Sequence, residues 1–309
     1  MKVSGNDLVT RFIAGTKWDT LPEPVQRKAR MCMLDDLGAT LVGSLAMISR
    51  ITADYAVETW SGDEATILLH GKASIIGAVF ANGYAANGFD IDDCALYTRG
   101  HPGAQVFPTA LAISEKLGLG GREMLTAMVI GYEIAHRAAR CWHNHHRVYQ
   151  ACGSWGSVAC AAVASNLLGL SLEQINNALG IAEYHAPNLP MMRDIDHPAM
   201  VKHGIGWGAM TGITAAELSS RGFTGIPDIL TFEEYRDWVV DIGQNYIMVN
   251  GVIWKEYACC AWAHAALDAA GMMARKYSIK VEDIARIKVE GFHESLRLGA
   301  KLPDTTEEA

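Results

Sequence analysis

A polar stretch at residues 88–108 carries side chains that could transfer protons. It holds three carboxylates shortly before His101, those of Asp90, Asp92 and Asp93. Carboxylates and imidazoles are the usual groups of general acid–base catalysis, and a carboxylate often orients a neighbouring imidazole. A single aspartate in such a place more often caps a helix. The combination of three carboxylates with a histidine favours acid–base chemistry.

Helices rich in small and apolar residues are predicted on both sides of this stretch. Residues 75–87 and 109–117 have the composition of buried helices, and similar Ala-, Gly- and Ser-rich segments recur at 153–168 and 202–219. Such helices pack closely, and strands and helices do not alternate regularly along the chain. The sequence therefore predicts a mainly α fold in which core helices hold the polar stretch between them.

The character of the sequence changes after residue 253, and residues 281–290 alternate between polar and apolar side chains. This alternation predicts a half-buried strand and the entry into a second domain. A strand without partners exposes its backbone groups and is unstable alone. We therefore expect the chain to be a fragment, one half of a split enzyme, or a chain completed by another.

The composition of the chain limits the classes of protein to which it can belong. The chain has 309 residues, of which 50% are hydrophobic and 19% charged, so it can bury a large core. A net charge of -8 argues against a nucleic-acid surface. The N-terminus lacks the layout of a signal peptide, and no uninterrupted apolar run is long enough to span a bilayer. We expect a cytoplasmic protein with no nucleic-acid or membrane partner.

Metal and disulfide sites are not expected from the spacing of their usual ligands. The 7 cysteines are odd in number and lie mostly in apolar helical segments, which indicates a reducing compartment. The densest histidine group, His143, His145 and His146, does not share one helix face. These residues alone therefore do not predict a metal centre.

Together these motifs resemble the MmgE/PrpD family, which includes 2-methylcitrate dehydratase, cis-aconitate decarboxylase and iminodisuccinate epimerase. The resemblance covers essentially the whole chain. It is carried by the Asp90 loop with its His-Pro-Gly turn and by five further motifs, Asp35-Asp-Leu-Gly38, Gly131-Tyr-Glu-Ile134, Lys202-His-Gly204, Gly222-Phe-Thr-Gly225 and Lys255-x-Tyr257 followed by His264.

The resemblance implies a large all-helical domain, at residues 1–258, and the beginning of a smaller α+β lid at residues 259–309. It also implies a homodimer and cofactor-free chemistry on a small polycarboxylate. Members of the family are usually longer than this chain, so the rest of the lid is expected to be absent here. A second chain could supply the missing C-terminal part.

The resemblance also implies roles for single residues. Asp90, His101 and Lys255 match catalytic positions, and a further catalytic histidine aligns near residues 145–147, where we take His146. The substrate-binding positions implied are Cys94, Lys202, Tyr257, Cys260 and His264. Cys94 stands where cis-aconitate decarboxylase has a threonine, and Cys260 stands where it has a histidine. These departures argue against the decarboxylase itself and leave the reaction open.

Elementary chemistry gives these residues a common purpose. Removing a proton next to a carboxylate creates an enediolate, so the site needs cations and a neutral base. Lys202 and Lys255 could supply the charge, as could Arg193, which the resemblance does not support. A helix N-terminus beside Lys202 and Arg193 would favour an anion. His101, titrating near neutrality, could take the proton while Asp90 orients it or acts as the partner acid.

The sequence therefore predicts a cofactor-independent lyase or isomerase that acts on a small di- or tricarboxylate. A carbon–oxygen lyase resembling 2-methylcitrate dehydratase is the first choice. One alternative is an epimerase of an iminodisuccinate-like substrate. Another is a catalytically inactive or split-enzyme subunit that serves as a helical dimerisation scaffold. A metal hydrolase is disfavoured because the sequence lacks residues at the spacing typical of metal ligands.

Overall fold

A computed structural model describes residues 5–299 of the chain. The described residues are mainly helical, which confirms the predicted fold class. Thirteen α-helices follow one another as α1 (Gly5–Gly15), α2 (Glu23–Gly43), α3 (Met47–Thr59), α4 (Ile75–Ala86), α5 (Gly103–Leu117), α6 (Gly121–His145), α7 (Cys152–Leu167), α8 (Leu172–Tyr184), α9 (Met191–Asp196), α10 (Ile205–Ser220), α11 (Arg236–Val239), α12 (Met248–Gly251) and α13 (His264–Tyr277).

Two small antiparallel sheets accompany these helices. Strand β1 (Ala65–Ile67) pairs with β2 (Gly71–Ala73), and β3 (Cys94–Ala95) pairs with β4 (Val252–Ile253). The first sheet is a hairpin between neighbouring segments. The second sheet joins segments that are far apart in sequence, because Cys94 lies opposite Ile253 and Ala95 lies opposite Val252.

The core is built from helices that approach one another closely. Helices α4, α5, α7 and α10 carry long runs of buried small side chains. A Cβ atom on Gly208 of α10 would lie 2.3 Å from the carbonyl oxygen of Gly153 in α7, which is far inside van der Waals contact. Only glycine therefore allows this crossing, as the small-residue pattern predicted.

The predicted strand at residues 281–290 is wrong. Within that segment the structure has a 3₁₀ helix, Val281–Asp283, followed by exposed residues without strand pairing. The alternating pattern is present, and Ile287 and Val289 are 67% and 55% exposed. Among the described residues, none forms with this segment the ladder of backbone hydrogen bonds that a strand requires. An alternation of polar and apolar residues does not form a strand unless another segment pairs with it.

The C-terminal part of the described chain differs from the rest in burial. Helix α13 has no buried residue. Its apolar side chains include Leu267, Met272 and Met273, and each of these is more than a third exposed. The division of the chain at residue 258 stays a prediction, as do the homodimer and the second chain. Between α8 and α10, residues 187–198 contain one short helix, α9.

None of the individual helices between residues 5 and 299 has both the length and the apolar composition that a bilayer crossing requires. Two consecutive helices, α2 and α3, meet the criterion only when taken together, and they are bent by 90°.

Candidate active site

The β3–β4 sheet brings a lysine to the polar stretch. Lys255 follows β4, and its Nζ donates hydrogen bonds to the carboxylate Oδ1 of Asp90 at 2.6 Å and to the Asp90 carbonyl oxygen at 2.7 Å. The Lys255 side chain is only 1% exposed. Asp90 adopts a left-handed backbone conformation, with φ of 53°, which is unfavourable for most residues other than glycine. The ammonium thus binds two oxygens of one strained residue.

His101 lies between carboxylates on both sides of its ring. Its Nδ1 is 2.9 Å from the carbonyl oxygen of Asp93 and 3.2 Å from Oδ2 of Asp92, and its Nε2 is 3.5 Å from Oδ1 of Asp90. Burial is the largest single influence and would lower the pKa of His101, but the charge and hydrogen bond of Asp92, together with Cys94, outweigh it and raise this pKa well above the ordinary value. The expectation that His101 titrates near neutrality is therefore wrong, because the fold places Asp92 against the ring.

Asp90 carries the negative charge between these two cations. Burial would raise the pKa of Asp90, but His101 and Lys255 lower it to about 2. The pKa of Lys255 is raised: burial would lower it, but Asp92 and Asp90 overcome that effect. Near neutral pH, an ionised carboxylate therefore joins an ammonium and an imidazolium at the centre of the site.

His203 is a residue of the site that the sequence analysis missed. Its ring is stacked on the ring of His101, with centroids 5.5 Å apart and planes inclined by 6°. Its Nδ1 lies 2.6 Å from Oδ2 of Asp194. The signal was present in the Lys202-His-Gly204 motif, of which only the lysine was chosen. Asp194 lies in the short helix α9, which precedes this turn.

A cavity of about 430 Å³ opens beside this centre. Asp90, Lys202, His203 and Cys260 line it together with apolar residues such as Ile48 and Met200. A pocket with a few polar groups among apolar walls is the usual form of a small-molecule site. Its polar lining and its volume suit a small charged ligand.

The structure brings six of the predicted site residues together. Asp90 contacts both Lys255 and His101, as described. The Cys94 Sγ lies 3.7 Å from Nδ1 of His101, and Lys202 and Cys260 line the cavity.

Four predicted site residues lie elsewhere. Arg193 lines a neighbouring cavity of about 440 Å³. The Tyr257 hydroxyl donates to Asp268 at 2.8 Å, and the His264 ring packs against Tyr257 with a 5.1 Å centroid distance.

His146 caps the end of α6 and packs against Trp142 at 4.9 Å. In the described part of the chain, the contacts of His146 remain at that helix end. The turn after α6 therefore does not direct its ring to Asp90, and its catalytic role stays a prediction.

Two further buried carboxyl groups, those of Asp36 and Asp93, support the polar stretch. The Tyr132 hydroxyl lies 2.9 Å from Oδ2 of Asp36 and 2.8 Å from Oδ2 of Asp93, while the Gly103 N–H donates to Asp93 Oδ1 at 3.0 Å. One hydroxyl has a single hydrogen for two acceptors. One of the two carboxyl groups must therefore carry a proton.

The pKa values agree with this proton. Burial raises the pKa of Asp93 to about 7, although the hydrogen bond from Tyr132 opposes the rise. Burial and the nearby Asp93 raise the pKa of Asp36 well above its ordinary range. A Cβ atom on Gly103 would lie 2.0 Å from Asp36 Oδ1, so this position has room only for glycine. The motifs containing Asp36 and Tyr132 thus support the loop rather than line the cavity.

A metal ion does not fit the centre well. Among the residues that the structure describes, one ligand atom each from Asp90, His101 and His203 lie within 4.8 Å of one another. The Asp90 carboxylate already accepts a hydrogen bond from Lys255. A cation bound there would repel the ammonium strongly. The donor set therefore favours Lys255 over a metal ion, and cofactor independence stays a prediction.

Residues 8–238 match the MmgE/PrpD N-terminal domain. The matched segment contains the loop of Asp90 and His101 and the turn of His203, whereas Lys255 follows it. Cis-aconitate decarboxylase of Homo sapiens is 29% identical over 232 residues, which cover 72% of this chain and 47% of that protein.

Two fungal proteins are similar as well. A cis-aconitate decarboxylase-like protein of Aspergillus oryzae is 24% identical, with 95% of this chain and 65% of the relative covered. Cis-aconitate decarboxylase of Aspergillus terreus is 22% identical, with 84% and 58% covered. The chain thus spans between 47% and 65% of the length of these three relatives.

Proposed function

The chain belongs to the MmgE/PrpD family, and on that basis we propose that it is a cofactor-independent lyase that removes a proton next to a carboxylate of a small di- or tricarboxylate. One observation carries the proposal. Asp90 lines a cavity together with Lys202, and it contacts both Lys255 and His101. An enediolate carries more negative charge than the carboxylate from which it forms, and preorganised cations therefore stabilise it more than that ground state.

The charge state of His101 suggests its part in the reaction. An imidazolium held by Asp92 and Asp90 is a proton donor, so it would protonate a departing hydroxyl. Lys255 and Lys202 would bind the substrate carboxylates. Elimination of water, as in a carbon–oxygen lyase resembling 2-methylcitrate dehydratase, is the reaction that uses such a donor most directly.

Two other outcomes of the same chemistry compete with dehydration. The named relatives are cis-aconitate decarboxylases or similar to them, and a decarboxylase also needs a donor to protonate a carbanion. An epimerase needs an acid and a base on opposite faces of one carbon, which two histidines could provide. Cys94 and Cys260 at the site are the positions where this chain departs from the decarboxylase pattern.

The inactive or split-enzyme subunit is the second candidate. The exposed apolar side chains of α13 favour it, since a second copy or another chain could cover them. Buried charges at Asp90 and Lys255 weigh against it, because a scaffold gains nothing from groups that are costly to desolvate.

The proposed activity is tested by hydrogen exchange. The 309-residue chain, incubated in D₂O with a panel of di- and tricarboxylates, should exchange or eliminate the proton next to a carboxylate, as followed by NMR. We expect His101→Ala to lower this rate by about 10² or more, since a general acid typically contributes that factor. His70→Ala, which alters a histidine lining a different cavity, is the control.

The same assay separates the alternatives. Circular dichroism should be unchanged in both variants, and added EDTA should leave the rate unchanged. Equal rates for the parent and His101→Ala would remove His101 from the mechanism. A rate lost on chelation would contradict cofactor independence.

A dicarboxylate should bind more tightly than the matching monocarboxylate. Lys202 and Lys255 offer separate cationic partners, and a charge-assisted hydrogen bond contributes more than a neutral one. We expect a difference of about tenfold or more by calorimetry, corresponding to roughly 1.4 kcal/mol. Lys202→Met should reduce the difference, whereas Lys72→Met, which alters an exposed lysine paired with Glu115, should not. Equal affinities in the parent would show that only one carboxylate is bound.

A further inference from the structure

The pair of His203 and Asp194 has the form of an oriented base. Oδ2 of Asp194 lies 2.6 Å from Nδ1 of His203 and accepts the backbone N–H of the same residue at 3.0 Å. An ionised carboxylate can only accept hydrogen bonds, so Nδ1 carries the hydrogen. In the neutral ring, Nε2 then keeps a free lone pair. Asp194 thus fixes both the tautomer and the orientation of His203.

The backbone at this place is held in an unfavourable conformation. Lys202 and His203 have φ values of 39° and 56°, and Gly204 continues the left-handed run with 63°. Such conformations cost about 1 kcal/mol or more at each residue other than glycine, and they concentrate at functional sites. The hydrogen bond from the His203 N–H to Asp194 stabilises this turn. The turn places the His203 ring at the cavity wall beside Asp90.

The two stacked histidines have different surroundings. His101 has oxygens near both nitrogens: its Nδ1 faces the Asp93 carbonyl and the Asp92 carboxylate, and its Nε2 lies 3.5 Å from the Asp90 carboxylate as an ion pair. These surroundings suit a protonated ring with a hydrogen on each nitrogen. His203 has one carboxylate, on its Nδ1 side. The centre combines an imidazole that gives a proton with one that can accept a proton.

We propose that His203 is the general base of this site, that Asp194 is its positioning residue, and that His101 is the acid paired with it. This assignment rests on the proposed function. In a dehydration, Nε2 of His203 takes the proton next to the carboxylate, and the electron pair forms the new double bond. The carbon–oxygen bond breaks, and the hydroxyl leaves as water with the proton of His101.

The resting state is restored by one proton transfer. His203 ends the step with an extra proton and His101 lacks one, so transfer between them balances the cycle. One nitrogen of each ring lies within 4.8 Å of the other and of an Asp90 oxygen. That separation suits transfer through one water molecule or through the carboxylate. No further reactant is needed.

His203→Gln tests the assignment in the 309-residue chain. We expect kcat for the proton exchange described above to fall by about 10² or more, with KM changed much less, as for the loss of a general base. The acidic limb of the pH–rate profile, which reports the deprotonated base, should disappear. Asp194→Asn should retain more activity than His203→Gln, but nitrogen-15 NMR should show a mixed tautomer of His203, because an amide can either accept from Nδ1–H or donate to Nδ1.

Several groups can influence this limb. Asp194 faces His203 from α9, and Asp90 and His101 face it from the polar stretch. Lys202 and Cys260 line the same cavity, and Arg193 and His197 line the neighbouring cavity that His203 also lines. The matched control is His70→Gln, which breaks another histidine–aspartate pair, to Asp54 at 3.1 Å. That variant should keep the rate and the profile of the parent.

Failure of the base assignment and failure of the proposed function give different results. If the parent is active and His203→Gln keeps its rate and acidic limb, His203 is not the base while the proposed function stands. If the parent moves no proton in any polycarboxylate, the proposed function fails.

A measurement without turnover decides the tautomer. Nitrogen-15 NMR of the histidine rings, with and without the unreactive tricarboxylate tricarballylate, should show the Nδ1–H form of His203. Its Nε2 should shift when the ligand binds. An Nε2–H form, or an unchanged Nε2 with bound tricarballylate, overturns the assignment whatever the activity.

Discussion

Lys255→Met is expected to lower turnover by about 10² to 10³, the range found when a group that stabilises a developing oxyanion is removed. The same change should destabilise the fold by about 3 kcal/mol, since it leaves the Asp90 carboxylate without its closest partner. The Lys255 side chain is 1% exposed and that of Asp90 is 19% exposed. The loss should therefore lie at the lower end of the range for buried pairs.

A double variant separates these two effects. Lys255→Met combined with Asp90→Asn removes both charges, so most of the stability should return in urea unfolding. Activity should not return, because the cation and the carboxylate both belong to the proposed chemistry. Activity that recovers together with stability would mean that the ion pair only holds the fold.

Asp93→Asn is expected to stabilise the protein at pH 8 by about 2–4 kcal/mol, on the scale of 1.36 kcal/mol for each pKa unit. The pKa of Asp93 is about 7 in the folded state against an ordinary value of 3.8. The folded state therefore holds a proton that the unfolded chain releases. The stability contributed by this proton is fully present below pH 3.8 and is lost as the pH rises through about 7.

Asparagine can replace this carboxyl group without loss of hydrogen bonds. Its oxygen would accept from the Gly103 N–H, and its NH₂ group would donate to the Tyr132 oxygen, which leaves the hydroxyl hydrogen for Asp36. Urea unfolding between pH 4 and pH 8 should show falling stability in the parent and a flatter profile in the variant. Asp63→Asn, at an exposed position, should follow the parent. A variant that is less stable than the parent at pH 8 would contradict the shared proton.

The sequence was sufficient to predict the helical fold, and it picked out three residues that meet in the candidate site. Small residues at 75–87 and 153–168 indicate closely packed helices whatever their partners are. Asp90, His101 and Lys255 are informative because their residue types and motifs restrict what they can do. Their neighbours in space were not needed for that prediction.

Other features depend on contacts that only the folded chain provides. The charge of His101 is set by Asp92, whose carboxylate could equally have faced solvent. His203 acquires its orientation from Asp194 across a turn with left-handed backbone, which no local pattern indicates. The predicted strand at residues 281–290 is wrong for the converse reason. The alternating pattern is present in the sequence, but a strand also needs a second segment to pair with.

The two-residue pairing of β3 with β4 has a consequence for the order of folding. It joins Cys94 to Ile253, and beyond it Lys255 reaches Asp90 across 165 residues. Contacts of such separation form after local helices, because closing a long loop reduces chain entropy before any contact compensates for it. The helical core can therefore assemble while the ammonium is still distant, and catalytic competence should be the last property that the refolding chain acquires.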